Sequence, residues 1–353
     1  MRRILCLTLT VLLSCFLNHT SSANEIDKSA SEIKETFVQY EYVYPITPES
    51  DDWFDYTVRE KVEMLRIPEQ TLINMTDEEL IAAIISYPYL VDIYLYSNYV
   101  SVGIETVRTY FSALDELLSR DTGLNAMGTY FTSTSSASTM SASPQNHPSY
   151  SFEQNALADI YWACNSYQAK SAYREPERLH FILTPNGTDL YPAIYTEEHT
   201  HTEHQQIDIN KIVSVYGATL IEPGSCVYNC HYFAWHLKGN VNADIHAWLD
   251  DPSAYMTDGS YSRIYSGSIN TWHYETSIRY GDIIFYGSIS NPGECNTWHS
   301  AICIYNSVTG GPIASVTCIS KWGRYGVFQH AMGNVPAGYD TSHISAWRIT
   351  END

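Results

Sequence analysis

The chain has 353 residues, 44% of them hydrophobic and 13% aromatic, which is enough for a sizeable core and, by length, for two domains rather than one. Forty acidic residues against nineteen basic ones give a formal net charge of −21, so the surface repels phosphate backbones and nucleic acid is excluded as a partner. A charge of this sign suits neutral or cationic polymers and favours solubility.

Met1-Arg2-Arg3, the apolar run from Ile4 to Leu17 and the small residues Ser21-Ser22-Ala23 have the layout of a secretory signal peptide over residues 1–23. That run is shorter than the ~20 residues a bilayer span needs, and no later segment is long and apolar enough to cross a membrane. The mature protein is expected to be secreted or associated with the cell envelope. Cys15, after Leu12-Leu13-Ser14, is a poor match to a lipoprotein cleavage box. Cleavage leaves six cysteines: Cys164, Cys226, Cys230, Cys295, Cys303 and Cys318. Export permits disulfides, but spacing does not say which cysteines pair.

Residues 24–172 read as a helical domain. Thr76-Asp-Glu-Glu79 is a capping box opening a helix that carries Leu80, Ala83, Ile84 and Tyr87 and stops at Pro88. Ile104, Val107, Phe111, Leu114 and Leu118 recur at spacings of three and four, as one helical stripe. The Ser/Thr-rich stretch within 132–148 is a linker, and a further helix is expected from about Phe152 to Lys170. From residue 173 the pattern turns to β. Pro185-Asn186-Gly187 sits between two apolar runs as a hairpin turn, and His199, His201 and His204 could bind a transition metal, although a solvated His-rich loop is the commoner reading of such a stretch. The segment from Trp248 to Tyr261 is either a substrate-facing loop or a packed connector. Strands follow at Asp282–Tyr286, Ser300–Tyr305, Ile313–Ser320 and Ile344–Ile349, with Gly310-Gly311 as a turn. A cysteine-bearing helix followed by antiparallel strands makes 173–353 an α+β domain.

The chemistry centres on Ser225-Cys-Val-Tyr-Asn-Cys-His-Tyr-Phe-Ala-Trp-His-Leu-Lys-Gly239. Asn229 is a good N-cap, Cys230 takes the first helical position, and Lys238-Gly239 ends the helix. A thiol there meets unpaired N–H groups and the positive end of the helix dipole, which favours a thiolate nucleophile. Free cysteine is also among the most buried residue types, so the stretch alone does not decide. A nucleophilic thiol needs a base, and the base an orienting group. His299, opening a strand, is the candidate base, and Ser320, ending the next, is the candidate orienter.

Tyr228-Asn-Cys-His-Tyr-Phe-Ala-Trp235, Gly281-Asp-Ile-Ile-Phe-Tyr286 and Trp298-His-Ser-Ala-Ile302 resemble the papain-like NlpC/CHAP superfamily of cell-wall amidases and endopeptidases. The resemblance covers about residues 224–323. It implies a cysteine-bearing helix packed on an antiparallel sheet, with Cys230 as nucleophile, His299 as base and Ser320 as third residue. It also implies a peptide or peptidoglycan-stem substrate and no metal or organic cofactor. The neighbouring aromatics Tyr228, Trp298 and Trp322 are the candidates for substrate contact. Two departures stand out. His231 follows the cysteine where small residues are usual, and Ser320 is a weak orienting group for which Lys321, Gln329 or His330 are alternatives. Cys226, in Gly224-Ser-Cys226, is the rival thiol and faintly resembles the Gly-x-Cys of transglutaminase-like acyl transferases. A catalytically silent module binding glycan or peptide at the cell surface is the other class that these residues allow.

Overall fold

The computed structural model describes residues 42–96, 100–134, 151–166, 177–178, 182–194, 204–269, 278–288, 298–306, 316–323 and 325–350. The expected signal peptide, most of the Ser/Thr-rich linker, His199, His201, Cys295 and Gly310-Gly311 lie outside them, as does the side chain of His204. The architecture is mixed α+β, with helices packed on an antiparallel sheet. No helix among the described residues is long and apolar enough to cross a membrane.

The N-terminal half is helical, and its boundaries follow from local chemistry. Both Thr57–Glu60 and Thr76–Glu79 form reciprocal capping boxes, opening helices Val58–Met64 and Asp77–Ile85. The stripe expected from Ile104 to Leu118 is real in its burial but is not one helix. It divides into Val100–Arg108 and Ser112–Ser119, because Phe111 takes an extended conformation (φ −103°, ψ 91°) and buries its ring against Tyr87, 3.6 Å between centroids. The turn at Phe111 moves the contact surface by one position, so Leu117 is buried while Leu118 is only partly so. The helix expected from Phe152 is present over Phe152–Ser166, and the expected remainder to Lys170 lies outside the described residues.

Two short strands, β1 (Glu177–Arg178) and β2 (Ala193–Ile194), pair antiparallel, and between them the hairpin turn forms with Gly187 at φ 88°. Such a φ favours glycine because a Cβ would crowd the carbonyl. The main sheet has seven strands: β3 (Thr219–Pro223), β4 (Tyr261–Gly267), β5 (Ile283–Tyr286), β6 (His299–Asn306), β7 (Val316–Trp322), β8 (Gly326–Ala331) and β9 (Ile344–Ile349). Their order is β3-β8-β7-β6-β5-β9-β4, antiparallel throughout. β3, β4 and β8 were not expected from the sequence.

Alternation along the strands assigns two faces. One face carries Ile284, Tyr286, Ala301, Cys303, Cys318, Trp322, Phe328 and Ala346 and is covered by the helical half, the helix His204–Tyr216 and the loop through Met332, Val335 and Tyr339. The opposite face carries Ile283, Phe285, Trp298, Ile302, Ile319, Val327 and Trp347 and is covered by the helix that begins at Cys230. With both faces buried, a four-residue strand such as β5 has no exposed position. Each fully buried Leu, Ile or Phe side chain contributes roughly 1.5–3 kcal/mol, so these faces fix strand register firmly. The segment from Trp248 to Tyr261 is the packed connector. Tyr255 and Met256 are buried on the short helix Ser253–Thr257, and Asp258 receives Thr184 Oγ1 from the hairpin.

Candidate active site

Cys230 sits where the sequence places it. Asn229 caps the helix, accepting from Tyr232 N at 3.0 Å, and it is itself held by Leu249, whose carbonyl takes Asn229 Nδ2 at 2.9 Å. Cys230 and His231 make the first turn. The helix then widens over Tyr232–His236, with Leu237 N bonded back to Tyr232 O, and ends with Lys238 and Gly239 in the left-handed region.

As whole residues, Cys230 is half-buried and Cys226 buried. Burial of the group nonetheless pushes the Cys230 thiol up to about 11. The backbone N–H groups of Ser300, His231 and Cys230 itself, with the Lys321 ammonium, act in the opposite direction. The expected net lowering by the helix dipole is therefore not what the surroundings produce: desolvation outweighs the dipole and the resting sulfur is a thiol.

The face assignment separates the other expected residues. Ser300 points to the cysteine helix: its Oγ meets His231 Nδ1 at 2.7 Å and accepts from Trp235 Nε1 at 2.8 Å. His299, one residue earlier, points to the other face. Its ring stacks on Tyr339 at 4.0 Å between centroids (interplanar angle 13°) and lies near the Tyr286 ring. It is fully buried, and among the described residues neither ring nitrogen has a hydrogen-bond partner; burial holds the imidazole neutral, well below its ordinary pKa. Burial raises the Tyr339 hydroxyl well above its ordinary pKa, and a thiolate at Cys230 would add to that rise. Ser320 does share the face of His299, but the expected orienting contact is replaced. Ser320 Oγ meets His330 Nε2 at 2.8 Å and accepts from Trp322 Nε1 at 2.7 Å.

The three aromatics expected at a substrate surface are all buried. Tyr228 stacks on His246 at 5.0 Å, Trp298 packs edge-on against Phe285 at 5.5 Å, and Trp322 is enclosed by Tyr216, Phe328 and His330. Tyr228 and Trp298 pack on the face of the sheet that the cysteine helix covers, and Trp322 on the opposite face. Asp282, of the Gly-Asp pair, is buried and bound through two oxygens by Arg348, which fastens β5 to β9. Two features escaped sequence reasoning. Ser300 is the helix-facing polar residue of β6, and Lys321 is a fully buried lysine on the helix-facing side of β7. Strand alternation from Ile302 and Ile319, both on that side, was the available signal. No group of three or more His, Cys, Asp or Glu that could hold a metal ion occurs among the described residues.

Compared with protein-family models, with curated proteins and with solved structures, the chain matches none.

Proposed function

We propose that the chain is an exported cysteine hydrolase of amide bonds in peptides or peptidoglycan stem peptides, built on a papain-like plan with Cys230 as nucleophile. The observation that carries the reading is the Cys230 sulfur at a helix start with three backbone N–H groups turned toward it. In the reaction the sulfur forms a bond to the carbonyl carbon and the C=O electrons move to oxygen. The oxyanion then takes hydrogen bonds from N–H groups freed as the sulfur is engaged. Collapse breaks the C–N bond and the amine leaves with the proton given up by the thiol; water then adds to the thioester, its oxygen and one hydrogen leaving with the carboxylic acid and its other hydrogen returning to the sulfur as the C–S bond breaks.

A second reading is favoured by one observation. A thiol pushed up to about 11 is a poor nucleophile near neutral pH and suits a silent binding module. The test separates them. The purified protein is incubated with peptidoglycan and with a casein control, and cleaved bonds are identified by mass spectrometry. Hydrolysis by the wild type and by Cys226→Ala, abolished in Cys230→Ala, supports the hydrolase. Binding to peptidoglycan without cleavage supports the module, and an amide exchanged onto an added amine indicates acyl transfer.

A further inference from the structure

Resting on the reading of Cys230 as nucleophile, we propose that Lys321, rather than His299, is the charged partner that sets the reactivity of the Cys230 sulfur. The argument begins with sheet parity. Ile302 pairs with Ile319, and both pack toward the cysteine helix. Two residues further along each strand stand Ser300 and Lys321, on that same face. Ser300 meets the helix through His231 and Trp235, and its N–H is turned to the Cys230 sulfur. The Lys321 stem is thereby enclosed at the end of the sheet beside the helix start. Its ammonium is 5.3 Å from the centre of the Tyr228 ring, two residues before Cys230, and donates to the Gly323 carbonyl.

Three other titratable groups near the sulfur are neutral at neutral pH. His231 is bonded to Ser300, and burial lowers it to about 4; His299 is held neutral across the sheet; Tyr339 is a neutral hydroxyl at neutral pH, donating to Leu95 O. Asp251 acts on His231 with the opposite sign, and His246 is engaged by stacking on Tyr228 and by the Val241 carbonyl. Burial lowers Lys321 to about 8, and thiolates at Cys226 and, to a smaller extent, Cys230 act to raise it, so Cys226, the remaining thiol, lies within the influence of the same lysine. Below that value Lys321 is an ammonium in a site from which water is largely excluded, where a single charge acts strongly. Linkage makes the effect reciprocal: what the thiolate does for the ammonium, the ammonium does for the thiolate.

The test follows alkylation of Cys230 by iodoacetamide from pH 6 to 11 in a Cys226→Ser background, with the modified peptide quantified by mass spectrometry. Lys321→Met is expected to slow the reaction about tenfold between pH 6 and 7.5, where Lys321 is an ammonium, and to approach the parent rate above pH 9, where the parent lysine is neutral, one unit in the thiol being a factor of ten in thiolate. Lys321→Arg, which keeps the charge, is expected to stay within about twofold of its parent at pH 7.5, and His299→Asn to leave that rate in place. A parental rate at pH 6–7.5 in Lys321→Met, an equal loss in Lys321→Arg, or a loss in His299→Asn alone would overturn the proposal. Cys230→Asp, which puts a carboxylate in the place of the thiolate, provides a reading that does not depend on the folding of a lysine variant. The 15N resonance of Lys321 Nζ is expected to titrate at higher pH in it than in the parent, and an unchanged titration also overturns the proposal. If the alkylation profile depends on Lys321 while Cys230→Ala still cleaves peptidoglycan, the ion pair stands and the hydrolase reading falls.

Discussion

Asp92 offers the sharpest test of how the two halves of the molecule are held together. It lies in a short 3-10 helix, fully buried, and accepts from Tyr216 (2.6 Å), Tyr110 (2.7 Å), Tyr96 (3.0 Å) and the Ala337 N–H (3.2 Å). These donors come from the helical half, from the helix leading into β3 and from the loop after β8. Desolvation raises the carboxyl to about 6 from 3.8, against the pull of the four donors. The sign follows from linkage. The folded value lies above the unfolded one, so the contribution to stability is fully present below about pH 3.8 and is lost as pH rises through about 6. A gap of that size corresponds to about 3 kcal/mol, at roughly 1.4 kcal/mol per unit. Asp92→Asn removes the titration and adds a constant loss, because an amide offers one acceptor oxygen to four donors and a buried donor left unpaired costs about 1–3 kcal/mol. Urea denaturation at intervals from pH 4 to 8 measures both. The stability gap between wild type and Asp92→Asn is expected to shrink by about 3 kcal/mol as pH rises, most of it between pH 4 and 6.5. A gap constant with pH would refute the argument, since it would mean that the carboxylate is solvated or that its charge is compensated in the fold.

Two further substitutions probe packing. Gly103→Ala, inside the helix Val100–Arg108, places a Cβ 1.8 Å from the Ile93 carbonyl oxygen, so the gain of about 1 kcal/mol in helix propensity is overwhelmed; a thermal midpoint equal to or above that of the wild type would show that the helix can move away from Ile93. Ser300→Ala leaves the Trp235 indole N–H and His231 Nδ1 without their buried partner, for an expected loss of about 2–4 kcal/mol in urea unfolding, with Ser300→Thr recovering part of it.

Asp92 belongs to a wider pattern in this acidic chain. Buried or partly buried carboxylates are met by tyrosine hydroxyls: Asp159 by Tyr94 at 2.7 Å and Asp208 by Tyr325, as well as Asp92 by three. With 40 acidic residues to 19 basic ones, cations are scarce. Burying an ammonium or guanidinium beside a carboxylate desolvates two charges, whereas a phenol desolvates none of its own and still donates a strong hydrogen bond. The abundance of tyrosine thus reflects how this core accommodates negative charge. Of the substrate-contact candidates, Tyr228 illustrates the corresponding use of a ring face, lying under the Lys321 ammonium.

The helical half was largely legible because its signals are local. A threonine with glutamate three residues later fixes a helix start wherever it occurs, and Thr76–Glu79 and the unread Thr57–Glu60 behave alike. The single stripe from Ile104 to Leu118 misled because period alone does not register a backbone break at Phe111, where tertiary burial of the ring decides. Strands β5, β6, β7 and β9 announced themselves as apolar runs, whereas β3, β4 and β8 carry mixed residues; β3 and β4 pair with strands distant in sequence, and β8 forms a hairpin with β7 and pairs with β3 on its other side. In the candidate site the cap, the cysteine and the terminating glycine were all readable, again as local features. What spacing could not supply was parity. A residue type at the start of a strand says nothing about the face to which it turns, and a shift of one residue exchanges the faces entirely. Here the exchange places Ser300 against the cysteine helix and His299 against Tyr339, and by the same count it puts Lys321, not Ser320, beside the sulfur's side of the sheet. Parity is set by which side chains of β5 and β7 are large and apolar on each face, and that is a property of the assembled sheet rather than of any one motif.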